Sequence, residues 1–106
     1  MKRILVFYDI SEDRVRNEMV KVLKRCGFYR IQKSVFMGCT NEEGMNRIEG
    51  FVKYMRSKEE CRMDSVIVMH LDDRILQSMR DLMRDEEEVF SNWLKMVMGK
   101  KVVVVI

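Results

Sequence analysis

The stretch Lys2–Asp9, KRILVFYD, constrains this chain more than any other. Ile4, Leu5, Val6, Phe7 and Tyr8 follow one another without a polar residue, which predicts a strand buried on both faces. The run ends on a carboxylate, Asp9, and Ser11, Glu12 and Asp13 then open a helix. A charged group at the C-terminal end of a central strand leaves the core and meets solvent, where open sheets place chemistry. Asp9 therefore has two readings. It helps to start the next helix, or it carries chemistry.

The chain has 106 residues, which predicts a single domain over 1–106 that buries roughly two-thirds of its unfolded surface. No run approaches the roughly 18 apolar residues of a membrane span. Lys2 and Arg3 precede an apolar run too soon broken by Asp9 to be a signal peptide. Cys26, Cys39 and Cys61 are odd in number and contain no C-x-x-C. They read as reduced thiols of a cytoplasmic protein, with neither a disulfide frame nor a zinc site. The net charge of +3 is unevenly spread: residues 1–40 hold nine Lys/Arg against four Asp/Glu, and the remainder eleven against thirteen. The first part is the candidate face for a polyanion.

A first helix is predicted over 12–26. Val15, Met19, Val22, Leu23 and Cys26 form one apolar stripe, Ser11 is the expected N-cap and Gly27 the stop. Arg14, Arg16, Lys21, Lys24 and Arg25 lie off that stripe and are the candidate nucleic-acid contacts, with Arg30 beyond them. In the β stretch 28–38, Ile31, Val35 and Met37 alternate with Arg30, Gln32, Ser34 and Phe36, as in a strand with one wet face. Eleven residues is long for one strand, and a bend near Lys33 and Ser34 would split it. Thr40 and Glu43 form a T-x-x-E capping box for a second helix ending near Arg56, with Met45, Ile48, Phe51, Val52 and Met55 inward. Gly44 and Gly50 are expected to weaken it by about 1 kcal/mol each. Residues 64–71, DSVIVMHL, read as another buried strand. This order is that of a ferredoxin-like α+β sandwich, an antiparallel sheet with two helices on one face.

Residues 72–99 read as a helical extension, and 100–106 as a β-branched terminal strand. Left unpaired, that strand is an aggregation hazard, so it must pair with its own sheet or with that of a partner subunit. Strand pairing across a homodimer meets the need. His70 reads as a structural or edge histidine, and Asp85–Glu88 as a solvated helix start. No Ser/His/Asp order, Gly-rich phosphate loop or Cys/His metal spacing occurs. One carboxylate per chain is sparse for a metal cage. Mg²⁺, however, binds through one or two carboxylates and keeps several waters, and a homodimer that brought two Asp9 side chains together would supply the pair.

The segment from Phe7 through Tyr8, Asp9, Ile10 and Ser11 to Arg16 and Asn17, and the segment Gly27–Gly38 with RIQKSVF inside it, resemble the Cas two family of CRISPR-associated proteins. The family pattern is a Tyr-Asp-(Ile/Val) strand end, an Arg-Asn in the first helix, and an Arg-(Ile/Val)-Gln-x-Ser-Val-Phe-x-Gly strand. Both motifs occur in order, covering about the first 40 residues closely. Glu18 and Met37 depart from it, standing where some members have a basic residue and a Glu. The resemblance implies a ferredoxin-like homodimer whose C-terminal strand pairs with the other subunit's sheet. It implies a place in CRISPR spacer acquisition, bridging the Cas one integrase and holding double-stranded DNA. It also implies a magnesium-dependent endonuclease acting on RNA or double-stranded DNA. Asp9 matches the metal ligand, and Tyr8, Arg16, Arg30 and Phe36 match further positions linked to activity. The alternative is a non-catalytic DNA-binding adaptor that bridges integrase subunits.

Overall fold

The computed structural model describes residues 3–83. Four strands, β1 (Arg3–Asp9), β2 (Tyr29–Gln32), β3 (Val35–Gly38) and β4 (Ser65–Leu71), form one antiparallel sheet in the order β2-β3-β1-β4. Helix α1 (Asp13–Arg25) joins β1 to β2, and α2 (Glu42–Arg56) with a short 3₁₀ turn at Glu59–Cys61 joins β3 to β4. A further short helix, α3 (Asp73–Gln77), follows β4. This is the ferredoxin-like order that the alternation of strands and helices predicts.

β1 is central because its apolar run serves two cores. Ile4, Val6 and Tyr8 leave one face and meet Phe36 of β3, Val15, Met19 and Leu23 of α1, and Ile48 and Met55 of α2. Each fully buried side chain of this size contributes about 1.5–3 kcal/mol relative to exposure. Leu5 leaves the other face and packs with Met37, Leu71 and Leu76, with Phe7, Ile31, Val35 and Met79 partly buried around them. Leu76 comes from α3, which the Arg3–Asp73 ion pair at 2.6 Å ties to the start of β1. Helix α3 thus covers the Arg3 end of this second face. Among the described residues nothing covers the other end, where Ile67 is 58% and Met69 43% exposed beside the half-buried Phe7.

Several expectations are corrected. The long β stretch does split, at Lys33 and Ser34, and Arg30 and Gln32 are exposed and Met37 buried as expected, but Phe36 does not lie on a wet face. Phe36 is fully buried beneath the helices, whereas Ile31 and Val35 sit half-buried on the face opposite them. A register shift between Arg30 and Gln32 adds to this by breaking the simple alternation. β4 is not a buried strand. Among the described residues it pairs only with β1, at the edge of the sheet, and of its residues only Leu71 is buried. His70 accordingly is exposed.

The helix starts also differ. The N-cap of α1 is Glu12, without a side-chain cap bond, and Ser11 is engaged elsewhere. The cap of α2 is Asn41, whose side chain accepts from the Gly44 N–H at 2.9 Å, in place of Thr40. Thr40 is buried against Gly44, where a Cβ would collide with its side chain. Gly44 is therefore a close-packing position and not only a helix weakness. Gly27, at φ 88°, makes the left-handed turn that ends α1. Of the proposed 72–99 extension only α3 and the residues to Met83 are described, with Ile75, Leu82 and Met83 exposed and Leu76 buried. The acidic run 85–88 and the 100–106 strand lie outside the described residues. Among the described residues no helix is long and apolar enough to cross a membrane.

Candidate functional site at the end of the first strand

Tyr8 and Asp9 leave β1 on opposite faces. Tyr8 is buried on the helix side, its hydroxyl donating to the Lys33 carbonyl at 3.1 Å and its backbone N–H to the Ser34 carbonyl at 3.0 Å. Its ring stacks on Phe36, and the Arg30 guanidinium lies over the Phe36 ring at 5.1 Å. Tyr8, Phe36 and Arg30 therefore form one stack that joins β1 to the β2–β3 hairpin, with Arg30 as its exposed end. Tyr8 and Phe36 are too buried to touch a substrate.

Asp9 lies at the end of the row Arg3, Leu5, Phe7, Asp9, on the face away from the helices and opposite Ser65 of β4. It is exposed. Its backbone is anchored on both sides. Before it runs the β1–β4 ladder. After it, the Ile10 carbonyl accepts from Arg16 Nη1 at 2.9 Å, and Ser11 donates its N–H and its hydroxyl to Asp64 Oδ1, each at 3.1 Å. Arg16 is half-buried and also pairs with Asp13. Its guanidinium thus already serves the turn after Asp9. Arg14, Lys21, Lys24 and Arg25 are exposed along α1, Arg14 in a loose pair with Glu18 at 3.8 Å.

The residues singled out in the sequence thus fall into two clusters: a buried stack on one face, and an exposed carboxylate with a pinned backbone on the other. Asp64 is the residue that sequence reasoning missed. It immediately precedes β4, and antiparallel pairing of a strand's start with the end of β1 is the signal that would have placed it beside Ser11. Cys61 lies near it. Burial first, and then its interaction with the Asp64 carboxyl, push the Cys61 thiol up. The thiol is a weak donor, and Asp64 Oδ2 remains buried with no hydrogen-bond partner.

The sequence profile of the family described as CRISPR associated protein Cas2 matches residues 1–79. This chain belongs to the Cas2 family. It is 36% identical over 76 residues to the CRISPR-associated endoribonuclease Cas2 of Korarchaeum cryptofilum, covering 71% of this chain and 77% of that one. To the CRISPR-associated endoribonuclease Cas2 1 of Methanospirillum hungatei it is 36% identical over 63 residues, 59% of this chain and 66% of that one. To the CRISPR-associated endoribonuclease Cas2 2 of Pyrobaculum aerophilum it is 53% identical over 38 residues, 36% and 42% of the two chains. The match thus spans from less than half to about three-quarters of these relatives. Among solved structures, one described as a partial Cas6-RT-Cas1–Cas2 complex superposes with a TM-score of 0.58 at 22% identity, over 78% of this chain and 92% of that one. A hypothetical protein, TT1823 of Thermus thermophilus, gives 0.54 at 24% identity, over 67% and 82%. Both likenesses concern the fold alone.

Among the described residues no group of three or more His, Cys, Asp or Glu is placed to hold a metal ion. A divalent cation held at Asp9 would meet one exposed carboxylate of this chain. That suits Mg²⁺, which keeps most of its waters and needs one or two carboxylates.

Proposed function

We propose that this Cas2 chain is a divalent-metal-dependent endonuclease of the CRISPR spacer-acquisition machinery, acting in the cytoplasm on RNA or double-stranded DNA. The observation that carries the reading is Asp9, an exposed carboxylate at a strand end whose backbone is held on both sides. The endoribonuclease names of the relatives support the same reading. Asp9 would hold the ion. The uncovered apolar end of the sheet, with Phe7, Ile67 and Met69, supports a twofold pairing of two such faces. That pairing would place Asp9 of the partner subunit in the same region. Bound there, Mg²⁺ supplies charge neutralisation at the scissile phosphate and lowers the pKa of water. Asp9 orients the attacking water, whose oxygen bonds to phosphorus as the bond to the leaving oxygen breaks. The exposed position of Asp9 lets the released proton pass to solvent, and solvent water supplies the proton that the leaving oxygen takes up. Arg30 and the α1 cations contact flanking phosphates. Arg16 holds the turn that presents Asp9.

A second reading has its own observation. Arg14, Lys21, Lys24 and Arg25 are exposed on one helix, as suits an adaptor that clamps duplex DNA and bridges Cas1 subunits without cleaving. The experiment that separates the two is cleavage of labelled duplex DNA and single-stranded RNA, with Mg²⁺ or chelator, by wild type and Asp9→Asn. Cleavage that needs both Mg²⁺ and Asp9 supports the enzyme. No wild-type cleavage with duplex binding retained supports the adaptor.

A further inference from the structure

Among the described residues the Asp9 side chain makes no hydrogen bond or ion pair. What the fold holds at Asp9 is therefore its backbone, from which the carboxylate reaches a limited set of positions. The strand ladder fixes that backbone up to Asp9, opposite Ser65. Beyond it the chain turns into α1, and one side chain from a neighbouring strand end fixes the turn. Asp64 Oδ1 accepts both the N–H and the hydroxyl of Ser11, at 3.1 Å each. Stability alone is a poor reason for a carboxylate at this point. Its other oxygen is buried with no geometrically formed hydrogen bond and only the weak Cys61 thiol nearby, and a poorly paired buried acceptor costs free energy. What the carboxylate does supply is a double acceptor, two residues past Asp9, anchored on the strand that pairs with Asp9.

We propose that Asp64 is a positioning residue for Asp9, acting through Ser11 to fix the exit of β1 and so hold the Asp9 backbone, and the space its carboxylate can reach, in one place. The proposal rests on the reading of Asp9 as the metal-holding carboxylate. Asp64 touches neither the ion nor the nucleic acid. Ligand groups held by a supporting hydrogen bond lose affinity and rate when that support is removed, typically by about 10- to 100-fold.

The test compares wild type with Asp64→Ala, Ser11→Ala and Ser11→Thr, with Asp9→Asn as the reference for an absent ligand. The readouts are Mn²⁺ binding by titration calorimetry without nucleic acid, the cleavage rate at saturating substrate, the substrate affinity, and amide exchange at Ser11. Asp64→Ala and Ser11→Ala should each weaken Mn²⁺ binding and slow cleavage by about tenfold or more. Substrate affinity should stay within about twofold, since no group that meets a phosphate is removed. Ser11→Thr keeps the hydroxyl and should restore both. Ser11→Ala carries the test if Asp64→Ala fails to fold. Faster amide exchange at Ser11 with wild-type Mn²⁺ affinity and rate overturns the proposal and leaves the role of Asp9 standing. A wild type that neither binds Mn²⁺ through Asp9 nor cleaves overturns the reading of Asp9, and this proposal with it.

Discussion

The ring of Tyr8 stacks on that of Phe36 with centroids 6.1 Å apart, and the Arg30 guanidinium covers the Phe36 ring from the edge strand. The stack crosses β1, β3 and β2, so it locks the hairpin to the strand that ends in Asp9. Phe36 is fully buried, and Phe36→Ala should cost about 3–5 kcal/mol by leaving a cavity. Tyr8→Phe keeps the ring and removes only the hydrogen bond to the Lys33 carbonyl, a loss of about 1 kcal/mol. Urea unfolding of both variants checks this. A Phe36→Ala midpoint equal to that of wild type would mean that the stack is not part of the core. If Tyr8 acts only through the fold, Tyr8→Phe should retain metal binding in proportion to its folded fraction.

The sequence announced the sheet because the apolar run Ile4–Tyr8 has no alternative to a central position. The α1 stripe was equally legible, since Val15, Met19 and Leu23 repeat at helical spacing and all three are buried. What was not legible depends on distant partners. Ser11 is a good local N-cap, but Asp64, 53 residues away, takes its hydroxyl. Thr40 fits a capping box, but the close approach of Gly44 buries it and leaves the cap to Asn41. The Val66–Met69 run looks like core, yet its place at the sheet edge exposes it. The place of Asp9 at the strand end and the burial of Tyr8 could be read directly. The burial of Phe36 could not, because it follows from which strand lies beside which, nor could the engagement of Arg16, which depends on how the turn at Ile10 meets the helix.

If α1 is the nucleic-acid face, neutralising it should weaken binding in a salt-dependent way. Each phosphate that is no longer neutralised lowers the slope of log affinity against log salt by about 0.9 on duplex DNA. Lys21→Ala, Lys24→Ala and Arg25→Ala remove exposed charges without opening the core, so the fold should persist. Fluorescence anisotropy at several salt concentrations measures the slope. A triple variant with an unchanged slope places the nucleic acid elsewhere.

The open sheet face offers a test of the proposed pairing. Ile67 is 58% exposed and shares its face with Phe7. In an isolated subunit Ile67→Lys should therefore change stability by no more than about 0.5 kcal/mol, as at ordinary surface sites. In a face-to-face pair it buries an unmatched charge, which costs far more. Sedimentation velocity should show a dimer for wild type and a folded monomer for Ile67→Lys. A variant that remains dimeric removes this face from the interface.

The thiols report on the core independently of any activity. Burial raises Cys26 above its ordinary value of 9.0, with Arg47 acting the other way, and burial followed by Asp64 raises Cys61. Cys26 and Cys61 are buried, and Cys39 is only half-buried. Iodoacetamide should therefore label Cys39 first, and the other two only as the chain unfolds. The same shifts make stability depend on pH. A raised folded value means that the unfolded chain loses these protons first. The stability they contribute is thus fully present below 9.0 and falls as the pH rises through and beyond that value toward the folded ones. Urea midpoints at neutral pH and above pH 9 measure the fall. Cys26→Ala should lower stability at neutral pH through poorer packing, yet show a smaller further loss in alkali than wild type. An equal alkaline loss in both proteins would show that Cys26 titrates alike in the folded and unfolded chains.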